Sequence, residues 1–433
     1  MKRLALMLLL PSALAAQAGA DSVARPISLD DAVRLAQRNA PSAVQASGAT
    51  RTNAAAVRSA YMSFIPTLSF SSGASKQNGD RFDSQGQLVP FTGAAWQYNS
   101  GLSMNVDLFD GGNRFYRLRG AKANVNAAEA NETLQQYNVS LSVKQQYYAV
   151  LAARESESAA QAQLEQASEQ LKTASAKVAA GAATKSDSLR AVIQVGNAQL
   201  ALIQARNNLN IANASLTRLV ATPFIVTATP GDTTQSIALA TDSAQIATLA
   251  LRGPAVQQAE EAYTAARANA RGSLTSYLPT ISMRFNRGGN GVDSRFGWGD
   301  SRYAYSQTLS FSMSFPFFNQ GTREEQVVRS RVAEDNAQAQ LRDTRFLAQQ
   351  QLTQYMSAFR SAEQRVQIQL ASVAAAEEDL RVQQRRYELG ASTFLDVLTS
   401  QATLNQARSA LIQARFDARV AKAQIETLTG RDM

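Results

Sequence analysis

The chain has 433 residues, 45% of them hydrophobic and 7% aromatic, with a formal net charge of +9 and neither cysteine nor histidine. That composition excludes disulfide staples, thiolate nucleophiles, an N-terminal lipid on cysteine, and the imidazole that most general-base and metal sites use. The Lys and Arg residues are interspersed with Glu and Asp along polar helical stretches, which reads as solvated helix faces rather than a surface for nucleic acid or anionic lipid.

Residues 1–20 hold Lys2 and Arg3, an apolar run from Leu4 to Leu10 and a small-residue ending at Ala18-Gly19-Ala20. This is the layout of a cleaved export signal, too short to span a bilayer. No apolar run of 18 residues follows it, which excludes transmembrane helices but not membrane strands.

The first repeat is expected over 21–219. A helix is expected over 30–60, then strands over 62–76 and 96–109. In the second strand Trp96, Tyr98, Leu102, Met104, Val106 and Leu108 alternate with Gln97, Asn99, Ser103, Asn105 and Asp107, giving one apolar and one polar face. Residues 113–180 contain no proline and are expected to form one helix, roughly 100 Å long at 1.5 Å per residue. Gly181 ends it, and Thr184 with Asp187 has capping-box spacing, with Asp in the place usually held by Glu or Gln. The stretch "GAATKS" at 181–186 lacks the later glycine and the preceding strand of a phosphate loop. In the helix expected over 187–219, Val195, Leu202, Leu209 and Leu216 recur every seven residues beside Ala198, Ala205, Ala212 and Leu219, a seam that lets neighbouring helices approach closely. A Thr-, Ala- and Pro-containing linker is expected over 220–241.

The second repeat, over 242–428, is written in the same terms. "ALIQAR" occurs at 201–206 and again at 410–415, and the offset of 209 also relates Phe109 to Phe318, Gly112 to Gly321, Gly181 to Gly390, Thr184 to Thr393 and Asp187 to Asp396. "FIPTLSF" at 64–70 answers "YLPTISM" at 277–283, and Pro41 answers Pro254, at an offset of 213. A helix over 243–273, strands over 277–287 and 303–317, a long helix over 322–389 and a helix over 394–428 are expected, with a tail at 429–433.

Single alternating strands usually belong to a sandwich with one wet face. Here they form two pairs joined by polar Gly-rich connections (79–95 and 288–300), with little else to cover their apolar faces. Phe64, Trp96, Tyr277, Trp298, Tyr303 and Tyr305 fall near strand ends, where an interfacial aromatic girdle would sit. Four strands cannot close a barrel and open edges are not tolerated in lipid, so closure would need other copies: two give eight strands, three give twelve and room for a pore. The helices alone would equally suit a secreted oligomeric coiled-coil scaffold without a pore. A need for detergent separates the two readings.

The motifs "SLDDAVRLAQRNAP", "FIPTLSF", "YLPTISM", "LFDGGNR" with "FFNQGTR", and "YELGASTFLDVLTSQATLNQAR" in duplicated order resemble the TolC-like outer membrane efflux protein family. The resemblance implies a mixed α+β membrane protein. Three chains, four strands each, would build a trimeric 12-stranded β-barrel in the outer membrane, continued by a long periplasmic α-helical barrel with a small mixed collar around 220–241. It implies a non-enzymatic exit duct of a tripartite efflux or type I secretion system, without cofactor. The implied partners are two sister chains, outer membrane lipid, a periplasmic adaptor and an inner-membrane transporter, with no nucleic acid.

The same resemblance puts a periplasmic gate at the helical turns. Asp396 stands where the family often presents an acidic pore ring, and Asp187 with Tyr387 looks like a bonding pair holding the gate. Ser392 stands where an arginine can latch and Thr399 where a second acidic ring can occur, implying a weaker latch and one ring. Three converging Asp396 carboxylates would repel one another, raising their pKa and favouring a cation; as a lone residue Asp396 reads as a helix cap. Ala180, Gly181 and Ala182, with Leu389, Gly390 and Ala391, are the expected adaptor-docking tips, although a tight turn needs its glycine in any case.

Overall fold

The computed structural model describes residues 24–77, 79–82, 84–91, 95–230, 243–293, 295–296 and 302–431. The expected export signal, and the linker beyond 230, lie outside the described residues. In chain order the elements are β1 (Arg25–Ile27), α1 (Leu29–Asn39), α2 (Pro41–Met62), β2 (Thr67–Ser75), β3 (Gly79–Phe82), β4 (Leu88–Phe91), β5 (Trp96–Phe109), α3 (Asn113–Ala179) and α4 (Lys185–Val220). They continue with β6 (Val226–Ala228), α5 (Ser243–Ala250), α6 (Pro254–Ser273), a 3-10 turn (Leu274–Tyr277), β7 (Thr280–Asp293), β8 (Arg302–Ser314), α7 (Thr322–Glu388) and α8 (Phe394–Thr429). No described helix is long and apolar enough to cross a membrane.

Several boundaries correct the sequence reading. The helix expected over 30–60 is two, because Ala40 is extended (φ −62°, ψ 133°) ahead of Pro41, the conformation a residue before proline prefers. The helix expected over 243–273 also breaks ahead of a proline, at a turn over 251–253 before Pro254. Strands expected from 62 and 277 start later, at Thr67 and Thr280, the latter after the 3-10 turn, and the strand expected over 303–317 spans 302–314. The polar connection expected over 79–95 contains the β3–β4 hairpin, and the first half of the one expected over 288–300 is the end of β7. Thr429, assigned to a tail, is the last residue of α8, capped by left-handed Gly430 (φ 67°).

The described chain divides into two units, each drawing on both repeats. One comprises Ser47–Asn131 and Val256–Thr344. Its centre is a four-stranded antiparallel sheet in the order β2-β5-β7-β8, so β5 of the first repeat pairs with β7 of the second and the repeats share one sheet. Register sets Leu68 opposite Met104, Met104 opposite Phe285 and Phe285 opposite Leu309 on the apolar face. Leu68, Phe70, Leu309, Phe311 and Met313 are all exposed there. The opposite face carries Ser, Asn and Gly, with the Ser69 and Ser103 hydroxyls 2.6 Å apart and Arg284 Nε donating to Asn105 Oδ1 at 2.6 Å. A bulge between Asp107 and Phe109 leaves Leu108 as the extra residue and returns Phe109 to the apolar face opposite Ile281. In the helices of this unit Ala123, Ala265 and Ala268 form a small-residue contact.

The other unit comprises residues up to Ala46, Glu132–Ala255 and residues from Arg345 onward. Its largest core joins Leu29, Ala32 and Ala36 of α1 to Val143, Tyr147, Val150 and Leu151 of α3, with Leu216, Val220, Val226 and Ala228. Within the stretch expected to be a linker, β6 pairs in parallel with β1. Tyr147 Oη donates to Ile27 O and Arg154 donates to Ala228 O and Thr227 Oγ1, the last two at 2.7 Å, so the small sheet is bonded to α3. The heptad seam is buried as its spacing implies: Ala198, Leu202, Ala205 and Leu216 in α4, and Leu404, Leu411, Ala414, Ala418, Ala421 and Ile425 in α8. Lys144 and Glu426, both largely buried, form a 2.6 Å ion pair between α3 and α8.

Candidate functional site: the paired helical turns

Each long helix ends on the same backbone device. Ala182 N donates to Lys177 O (2.8 Å) and Gly181 N to Val178 O (3.1 Å); Ala391 N donates to Arg386 O (2.8 Å) and Gly390 N to Tyr387 O (3.2 Å). These are two Schellman motifs, with Gly181 at φ 70° and Gly390 at φ 78°, a left-handed conformation that favours glycine. The next helix then starts with a complete capping box. Thr184 Oγ1 accepts from Asp187 N while Asp187 Oδ2 accepts from Thr184 N, and Thr393 with Asp396 repeats the arrangement. The shorter Asp therefore closes a box usually closed by Glu or Gln.

The side chains around the two turns differ. Phe394 opens α8 and is 2% exposed, packed with Ala174 of α3, Ala191 of α4 and the partly buried Leu171, Tyr387 and Leu398. Tyr387 lies 5.6 Å from the Phe394 ring. Lys177, from the last turn of α3, donates to Tyr387 O at 2.6 Å and to Glu388 O at 3.4 Å, with Nζ 4.1 Å from the Tyr387 ring centre. One ammonium thus satisfies carbonyls at the end of α7 and faces its aromatic ring, tying the first turn to the second.

The expected Asp187–Tyr387 bond is not formed. Asp187 Oδ2 is engaged by Thr184, and Tyr387 Oη is buried with no hydrogen-bond partner among the described residues. Burial raises the Tyr387 pKa above its ordinary 10.0, and the Asp187 carboxylate raises it further. Ser392 donates to Gln383 O at 3.3 Å, closing its own hairpin, and Thr399 Oγ1 bonds back to Leu395 O within α8. Asp396 is exposed, and within one chain its pKa is lowered rather than raised, by the backbone and hydroxyl bonds from Thr393 and then by the Arg386 charge. The capping role is therefore the one the single chain supplies. Ala180, Gly181, Ala182, Gly390 and Ala391 are exposed, as is Leu389 at 72%.

Sequence reasoning missed Lys177. Its signal was the 209-residue offset, which aligns Lys177 with Arg386 and so marks a basic residue in the last turn of both long helices. Among the described residues no group of three or more His, Cys, Asp and Glu side chains could hold a metal ion.

A sheet with one exposed apolar face and two helical hairpins closed by equivalent turns define the class: a duplicated mixed α+β membrane protein. The chain belongs to the family described as Outer membrane efflux protein, whose sequence profile matches residues 32–222 and 245–431. It is 28% identical over 167 residues to the probable efflux pump outer membrane protein TtgC of Pseudomonas putida, covering 38% of this chain and 34% of that protein. The match therefore spans about a third of that relative's length. It is 24% identical over 331 residues to the outer membrane efflux protein BepC of Brucella suis, covering 76% and 72% of the two chains. Its fold is that of the outer membrane protein VceC of Vibrio cholerae, with a TM-score of 0.73 at 18% identity over 93% of this chain and 96% of that one.

Proposed function

We propose that the chain is the outer membrane exit duct of a tripartite efflux or secretion system, a passive conduit energised by an inner-membrane transporter through a periplasmic adaptor. The observation that carries this reading is the four-stranded sheet. Its apolar face is exposed, and its edge strands β2 and β8 each have one side unpaired among the described residues. Such edges are not tolerated in lipid unless paired, and three copies joined β8 to β2 give twelve strands with the Ser- and Asn-rich face inward. The scaffold alternative leaves that face without a role.

We extend this reading to the helical turns, as the gate and docking tips of the duct. Asp396, held ionised by its own cap, would line a ring attractive to cations, so Asp396→Ala raises single-channel conductance or weakens cation preference. The small exposed turns at Ala180–Ala182 and Leu389–Ala391 suit close approach by an adaptor, and cysteines at 182 and 391 should crosslink to it in cells. The deciding experiment is purification followed by planar-bilayer recording. The duct reading expects a detergent-requiring, SDS-resistant trimer with discrete conductance; a water-soluble monomer without channel activity overturns it.

A further inference from the structure

The strand register isolates one charge on the apolar face. From the helix-joined ends of the strands, successive cross-strand pairs on that face are Ile281 with Met313, Met283 with Phe311, and Phe285 with Leu309. The next pair is Arg287 with Gln307, and Leu102 lies on the other side of Arg287 opposite Phe70. The pair beyond is Gly289 with Tyr305, and Tyr98 faces Gly291 one step further. Between the Ile281 and Gly291 levels Arg287 is the one charged residue of this face among the described residues. The sheet's other central arginine, Arg284, is on the opposite face and bonded to Asn105.

Arg287 has no acidic partner among the described residues; its side chain is exposed and its Cζ lies 5.7 Å from the Tyr305 ring centre. One step between pairs is about 7 Å along a strand, or about 5 Å of height at the usual barrel tilt. Arg287 therefore starts about 5 Å on the hydrocarbon side of the Tyr305 level, within reach of the interface for a side chain that snorkels. A guanidinium at that depth with no protein carboxylate to meet is suited to bidentate pairing with phosphate.

Resting on the barrel reading above, we propose that Arg287, flanked by Gln307 and Tyr305, binds the phosphate of a lipid head group at the membrane interface away from the helix-joined strand ends. Gln307 and the Tyr305 hydroxyl supply neutral donors beside the charge, and Leu102, Phe70 and Leu309 receive the acyl chain below it.

The test is native mass spectrometry of the delipidated full-length protein in maltoside detergent with three probes: a bis-phosphorylated glycolipid, phosphatidylglycerol and a phosphate-free glycolipid. Wild type should retain phosphate-bearing lipid, Arg287→Leu should retain it about tenfold less, and Arg287→Lys should fall between, keeping the charge without the fork. The phosphate-free glycolipid should bind weakly to all three. Preference for either the glycolipid or phosphatidylglycerol identifies the lipid source, equal retention shows that the phosphate alone is read, and each of these outcomes supports the phosphate site. An intact oligomer in which Arg287→Leu retains as much phosphate-bearing lipid as wild type overturns this inference alone. A wild-type protein that needs no detergent overturns the barrel and this site together.

Discussion

The two helical turns are copies in backbone and opposites in side chain. Both close with a Schellman motif on a left-handed glycine, and both restart with a Thr–Asp capping box. Under the 209-residue offset, however, Lys185 answers Phe394, Val178 answers Tyr387, Ala183 answers Ser392 and Arg190 answers Thr399. The second turn contributes the aromatic wedge, while the first contributes Ala174 and Ala191 as its receptacle and Lys177 as its tie. Duplication supplied the turn geometry, and divergence made one copy an insert and the other its socket.

The largest expected effect breaks that asymmetry at the wedge. Phe394→Ala removes a buried ring that bridges α3, α4 and α7, and substitutions of that kind cost about 3–5 kcal/mol. Amide exchange over 171–191 and 380–400 should accelerate by roughly two orders of magnitude or more, since 1.4 kcal/mol is about tenfold. Lys185→Ala, at the equivalent exposed position, should stay within about 0.5 kcal/mol of wild type. Equal effects would mean that the two turns share the load.

The next effect concerns the tie. Lys177→Met removes one short charge-assisted hydrogen bond, worth about 1.5–3 kcal/mol, with a second bond at the long limit and a cation–π contact adding to it. Arg386→Met removes a 3.3 Å bond to Ala391 O within its own turn and a charge near Asp396. Exchange at the turns should rise about tenfold or more in Lys177→Met and clearly less in Arg386→Met. If the order reverses, Lys177 is not what joins the hairpins.

These contacts also mark the limit of what the sequence discloses. The duplication, the alternating strands and the heptad seams are legible because each is a repeating pattern: Leu404 and Leu411 reveal their buried face by spacing alone. The pairing of β5 with β7 is not, because either strand would look the same against another neighbour. The bulge at Leu108 is hidden by an apolar residue that fits the alternation, and three-residue strands such as β1 and β6 are too short to show a period. Pro41 and Pro254 were visible, but proline is tolerated in a first helical turn, so helical periodicity reads through the break. At the turns, Gly181, Gly390 and both capping boxes were legible as local chemistry. The Lys177–Tyr387 tie and the Phe394 socket were not, because they join side chains about 210 residues apart.

A smaller effect tests whether the copied part really is equivalent. Beyond the adjoining residues, neither Gly181 nor Gly390 has any atom within 4 Å of the place a Cβ would occupy, so substitution meets only the strain of the left-handed backbone. Gly181→Ala and Gly390→Ala should each cost about 1–2 kcal/mol, agreeing within about 0.5 kcal/mol, as read from the exchange of the amides in each turn. A marked difference would show that the second turn depends on its wedge even for its backbone form.

The smallest effect at neutral pH is expected where a gate bond would make it large. Tyr387→Phe deletes a hydroxyl that is buried without a partner, while the ring over Lys177 and the carbonyl that accepts from it remain. Turn exchange and channel conductance should therefore be nearly unchanged at pH 7, whereas an Asp187–Tyr387 latch predicts that both rise. The two explanations also separate in alkali. The folded Tyr387 pKa is raised, so the protonated phenol's contribution is fully present below the unfolded value near 10.0 and is lost as pH rises through the higher folded value. Wild-type turns should loosen across that window and Tyr387→Phe turns should lack this component. The acid side belongs to a different group: Asp396 has a lowered folded pKa, so its contribution is present above the ordinary 3.8 and lost as pH falls through the folded value. Tyr387→Phe should leave that acid limb intact and Asp396→Asn should abolish it, assigning one limb to the wedge side of the turn and the other to its cap.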